Sequence, residues 1–165
     1  DTETERMIAR ENLLEVLLVQ LDQSLECIFK LLSLKYDQAD IDTAYYGLKS
    51  DTKEVQINAV EFLDNLLKSR LKSAILPLIE YHVVDANDTS MLPTETPMKT
   101  ELEMLKKLMK NRGSRIKLAA LNVVRYSDHP KAITLAQKLT KHKNLHIQRF
   151  AIRVYKELKQ QTIDS

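Results

Sequence analysis

Two histidines four residues apart, His142 and His146, stand at the spacing that lets two imidazoles on one helix face share a metal ion. Their neighbours oppose it. Lys141, Lys143 and Arg149 would repel a cation, no carboxylate lies locally to complete a ligand shell, and His142 could precede the helix altogether. No metal site is therefore expected. Asp128 and His129 are adjacent, but no serine or cysteine nucleophile motif accompanies them, and Asp128 is explained as a turn or cap residue. The acids Asp37, Asp40, Asp42 and Glu61 could do general acid–base work only if the fold paired them, which spacing alone does not decide. A chain with two glycines holds no glycine-rich phosphate loop. The single cysteine, Cys27, excludes an internal disulfide and fits a reducing compartment. Set in an apolar helical stretch with no local base to activate it, Cys27 reads as a small buried hydrophobe. No catalytic, cofactor-binding or metal-binding set emerges, so the expectation is a protein that is not an enzyme and needs no cofactor.

What remains is charge. The net charge of +2 hides an asymmetry: residues 1–98 carry 9 Lys+Arg against 18 Asp+Glu, and residues 99–160 carry 16 against 4. Within the basic half, His146, Arg149, Arg153 and Lys156 fall at i, i+3, i+7 and i+10 of one helical pattern, opposite its apolar stripe. Lys131, Lys138 and Lys141 share a face of the helix before it. These seven residues form a candidate basic interaction surface. It serves either as a solvated face that complements the acidic half, or as a site for an acidic protein partner, anionic lipid headgroups or nucleic acid phosphates. The absence of Trp and the scarcity of nearby aromatics weaken the nucleic-acid version, because single strands are held largely by stacking.

The elements that must position this surface are helices. Two glycines, four prolines and abundant Leu, Lys, Glu and Ala in 165 residues point to long helices and short connections. Thr2 and Glu5 have capping-box spacing before a pattern that runs to about Ser33, as one long helix or as two broken near Asp22. Its stripe Leu14, Leu18, Leu21, Leu25, Ile28, Leu32 is expected to pack against later helices of the same chain, with self-association as the alternative. Asp37 caps a short helix to Leu48. Asp51 and Glu54 have capping-box spacing for the next, whose apolar face is Val55, Ala59, Phe62, Leu63 and Leu66. Pro77 bends a further helix. Periodicity vanishes over 83–97, the one long loop. Thr96-Pro97 starts another helix lined by Met98, Leu102, Leu105 and Met109 and ended by Gly113, and three more follow around Ala119, Ala136 and Ala151. The V-Q-x-x-A of Val55 to Ala59 returns as I-Q-x-x-A at Ile147 to Ala151 and more loosely as R-I-K-L-A at Arg115 to Ala119, the mark of a solenoid. The predicted fold is all-α, an α-α superhelix of the HEAT/armadillo type with about eight helices. It forms a single domain over 1–165: capping helix or helix pair 1–34, first pair with the proline-bent helix 37–82, loop 83–97, and basic pairs 98–160. No run approaches the roughly 18 apolar residues of a membrane span, so this stretch alone is expected to be soluble. Its start at Asp1 is read as that of a piece of something longer.

At this level the residues resemble a known family. LKSAILPLIE around Pro77 looks like the proline-bent first helix of HEAT repeats. Ile28 to Leu67 is similar to the HEAT-repeat region that follows the membrane part of bacterial major-facilitator-like carriers related to ATP/ADP translocases. The matching elements are L-x-Y-x-x-x-D-I at Leu34 to Ile41, A-Y-x-G-L at Ala44 to Leu48, and N-A-V-E-F-L-D-N-L-L at Asn58 to Leu67. The likeness continues less sharply from Lys99 to Leu158. It departs from the usual D-x-x-x-R-x-x-A pattern at Gln56 and Gln148. The resemblance implies the cytoplasmic tail of a nucleotide carrier, tethered at the inner face of the membrane and meeting a protein partner or an acidic surface. The family's transport residues lie in membrane helices, so none carries over. The rivals are a HEAT-like nucleic-acid-binding protein, including one of DNA repair, and a stand-alone adaptor.

Overall fold

The computed structural model describes residues 2–83, 100–111 and 113–163. Among them the chain is all-α, without strands: α1 (Thr2–Leu32), α2 (Gln38–Leu48), α3 (Lys53–Leu66), α4 (Ser69–Val83), α5 (Glu101–Leu108), α6 (Ser114–Arg125), α7 (Ala132–Leu139) and α8 (Leu145–Ile163). No helix among the described residues is long and apolar enough to cross a membrane. The expected loop 83–97, beyond Val83, and the helix start at Thr96-Pro97 lie outside the described residues. The chain divides into two compact units, Asp1–Leu21 with Pro97–Ser165, and Asp22–Thr96.

With no glycine or proline between Thr2 and Leu32, α1 runs unbroken through Asp22, and Thr2 lies inside it rather than capping it. Its leucine stripe is not covered along its whole length. Leu25 and Leu32 are buried and Ile28 is half-buried, but Leu14, Leu18 and Leu21 stay 58, 55 and 42% exposed. In the first half Ala9 and Leu13 are buried instead. α1 contributes residues to two cores, and the expectation of one continuous packed stripe fails for its first half. Cys27 is exposed, against the buried reading. At about 100° per residue it points away from Leu25, Phe29 and Leu32.

The unit of residues 22–96 buries Leu25, Phe29, Leu32, Ile41, Ala44, Leu48, Ala59, Leu63, Leu67, Ile79 and Val83 in one core. Asp37 caps α2, its carboxylate accepting the N–H of Ala39 at 2.9 Å and of Asp40 at 3.3 Å. The Asp51–Glu54 capping box does not form: Thr52 occupies the N-cap of α3 and makes no side-chain cap bond. The turn is held otherwise, by Gln56 Nε2 donating to Ser50 O at 2.8 Å and Thr52 N–H donating to Ser50 Oγ at 3.2 Å. The buried face of α3 is narrower than predicted. It keeps Ala59 and Leu63, with Leu66 half-buried, and leaves Val55 and Phe62 exposed. Lys53 Nζ reaches the Val83 carbonyl at 2.5 Å and satisfies an acceptor near the end of α4.

Gly47 is where α2 meets α3 most closely. A Cβ there would stand 2.8 Å from the Cβ of Ala59, so the two helices would have to separate. Gly47→Ala is expected to cost about 1–3 kcal/mol despite alanine's better helix propensity, and clearly less in an Ala59→Gly background. Urea unfolding of the four-member cycle measures this, and equal costs in both backgrounds would refute the contact.

Candidate docking surface

The unit that carries the basic half is built on Leu105 and Met109 of the α5 region, Ile116's neighbours Ala120, Leu121, Val123 and Val124 on α6, Ala132, Leu135, Ala136 and Leu139 on α7, and Ile147, Ala151, Val154 and Leu158 on α8, joined by Ala9 and Leu13 of α1. The capping box expected elsewhere is found at α5, where Thr100 and Glu103 exchange side-chain-to-backbone bonds. Gly113 does not close α5. That helix ends at Leu108 and Gly113 is the N-cap of α6, with φ of −70°. On α6 Ile116 and Ala120 are buried four residues apart, like Ile147 and Ala151 of α8, whereas Ala119 is half-buried. Val55, the first member of the third copy, is exposed.

All seven residues of the candidate surface are exposed. His146, Arg149, Arg153 and Lys156 follow one another along the side of α8 turned away from Ile147, Ala151, Val154 and Leu158, over a length of about 15 Å. The exposed Leu145 and Ile152 border them. The lysines of α7 are less aligned than predicted, because that helix has only eight residues. Lys131 is its N-cap, Lys138 lies in its last turn, and Lys141 falls in the loop beyond. Among the described residues, no ion pair engages any of the seven.

Their lack of counter-charge has a local cause. The four carboxylates of residues 99–160 are all occupied. Glu101 accepts a two-pronged contact from Arg10, at 2.7 and 2.9 Å. Asp128 is paired with Arg6, whose Nε also donates to the Tyr126 carbonyl at 2.8 Å. Glu157 receives Arg125 at 2.5 and 3.2 Å. Glu103 is committed to the cap of α5. The Arg10 hydrogen bond, with the guanidinium charge behind it, holds the Glu101 carboxyl below its ordinary value against the opposing effect of burial, and Arg10 is raised in return. Arg6 is raised by its hydrogen bond to Asp128.

The histidines and acids singled out by spacing lie apart from one another among the described residues. His142 precedes α8 and lies in the loop after α7, so it shares no helix face with His146. Its Nδ1 accepts the Asn144 N–H at 3.0 Å and its Nε2 lies 3.1 Å from Lys117 Nζ. No group of three metal-ligating side chains occurs there. His129 Nδ1 accepts the Lys131 N–H at 3.1 Å, a turn contact. No hydrogen bond joins Asp37, Asp40 or Asp42 to Glu61; Asp37 is a cap. The Lys117–His142 contact was not foreseeable from spacing, since 25 residues separate its partners. Comparison with protein-family models, curated proteins and solved structures finds no match.

Because the folded Glu101 ionises below its unfolded value, its contribution to stability is complete above the ordinary carboxylate range and disappears as the pH falls through the folded value. The pair is half-exposed, which limits its worth to about 1 kcal/mol or less. Glu101→Gln is therefore expected to destabilise the protein slightly at neutral pH, with the gap closing below about pH 4. A gap that persists unchanged in acid, measured by thermal melting across pH, would exclude the ion pair as its source.

Proposed function

We propose that this chain is a non-catalytic α-helical scaffold of the HEAT type, which docks through the basic surface of its C-terminal half onto an acidic protein partner or the anionic inner face of a membrane. One observation carries the proposal. Seven exposed cationic or potentially cationic side chains stand without ion pairs, while every carboxylate of the same half is engaged elsewhere. A surface that served only solubility would gain from mixing signs. One whose own acids are withdrawn keeps a field that attracts an anionic surface and speeds its approach.

The likeness of Ile28 to Leu67 to the carrier-associated HEAT region supports a place for this docking, the cytoplasmic tail of a nucleotide-carrier-like membrane protein. There the membrane part would hold the tail near an anionic leaflet, and binding would become an intramolecular event with a high effective concentration. Fractionation of the native host with an antibody against this chain tests that placement. A larger species confined to membranes supports it, and a soluble species of this chain's mass overturns it.

The docking mechanism has its own test. Near an anionic surface each basic side chain is worth about 1 kcal/mol, and 1.4 kcal/mol is tenfold in affinity. Reversing Arg149, Arg153 and Lys156 to Glu should weaken binding to phosphatidylserine vesicles, or to an acidic partner, by about 100-fold or more. Since all three are exposed, the fold should survive. Unchanged binding would refute the basic-surface mechanism. A parallel titration with duplex DNA separates the nucleic-acid reading, which requires affinity that falls steeply with salt.

A further inference from the structure

Lys117, at the start of α6, and His142, in the loop between α7 and α8, meet with Nζ 3.1 Å from Nε2. A neutral imidazole offers one lone pair and one N–H. Nδ1 already receives the Asn144 N–H at 3.0 Å, so Nε2 carries the hydrogen and faces the ammonium group donor to donor. The other tautomer merely moves the conflict, setting Nδ1–H against the Asn144 N–H. That amide is fixed at the start of α8, where Asn144 Oδ1 accepts from His146 and Ile147 at 2.9 and 3.3 Å, whereas the lysine is a mobile arm. The Nε2–H form is therefore the coherent one. Two donors then converge without an acceptor between them.

Among the described residues, neither group has an acidic partner. Both side chains are half-buried, and the carboxylates of this half are occupied elsewhere. Helix stability does not account for Lys117 either, since the dipole disfavours a cation in an opening turn. Lys141 and Lys143 flank His142 and are exposed. Lys117 and His142 supply two converging donors, and a phosphate, with up to two negative charges and three strong acceptor oxygens, can accept from both.

We propose that Lys117 and His142 form a phosphate-binding site, in which the ammonium group and Nε2–H each donate to a phosphate oxygen. The phosphate belongs either to a soluble species or to a lipid headgroup. The site does not use the α8 ladder, although Lys141 of the docking surface lies next to His142 in the chain, and the Arg153→Glu control separates the two readings.

The experiment follows the His142 ring by NMR in the full chain at constant pH and ionic strength. It titrates inorganic phosphate, then acetate, and in a separate arm vesicles of phosphatidic acid. A saturable shift with phosphate, weakened at least tenfold in Lys117→Met and retained in Lys117→Arg and Arg153→Glu, establishes the site for soluble phosphate. A Lys117-dependent response to the vesicles alone establishes it for the lipid. No saturable response to either, an equal response to acetate, or a response that survives Lys117→Met overturns the proposal. Amide spectra of each variant confirm that it is folded.

Discussion

The charge on the C-terminal half depends on where its few carboxylates go. Arg6 and Arg10 project from α1 and take Asp128 and Glu101, while Arg125 on α6 takes Glu157 on α8. Exposed and half-exposed pairs of this kind add little to stability. Their larger effect is on distribution. Two arginines from the acid-rich N-terminal segment neutralise half of the acids that could have answered the lysines of α7 and α8. Glu103 is spent on a helix cap. The ladder on α8 is left facing solvent with no partner of opposite sign.

Stability comes instead from two apolar cores, and the demands of those cores decide which side chains reach the surface. Ile147, Ala151, Val154 and Leu158 are 0–4% exposed, which fixes the rotation of α8 about its axis. Once that rotation is fixed, Arg149, Arg153 and Lys156 have no inward option. The same logic places Leu14 and Leu18 outside: burying Ala9 and Leu13 sets the rotation of the first half of α1, and the leucine stripe is turned outward as a result. Basic ladder and exposed leucines are both consequences of core packing.

The sequence was most legible where one helix serves one core. Periodicity located the helices, and the exposure of His146, Arg149, Arg153 and Lys156 on α8 followed from the apolar residues opposite them. It misled where a helix serves two cores, as with the α1 stripe and Cys27, because a pattern of spacing states that a face is apolar and not whether anything covers it. Local chemistry was also ambiguous. Asp51 with Glu54 and Thr100 with Glu103 carry comparable signals, yet only the second pair forms a box, since the α2–α3 turn is held by Gln56 and Ser50 instead. Gly113 suits a helix end as well as a helix start, and its φ of −70° shows that its left-handed freedom is not used.

His142 shows how neighbours, more than spacing, decide what a histidine can bind. Its distance from His146 along the chain suggests a cation, but the groups brought to it by the fold are an amide N–H and an ammonium, and lysines stand on either side in the loop. Each of these opposes a metal ion and favours an anion, so the features that exclude the first chemistry are those that recommend the second. The deciding partner, Lys117, comes from a helix 25 residues earlier. A pairwise contact of that kind is created by the packing of α6 against α7 and α8, and becomes readable only once the tautomer is worked out from the bonds the ring already makes.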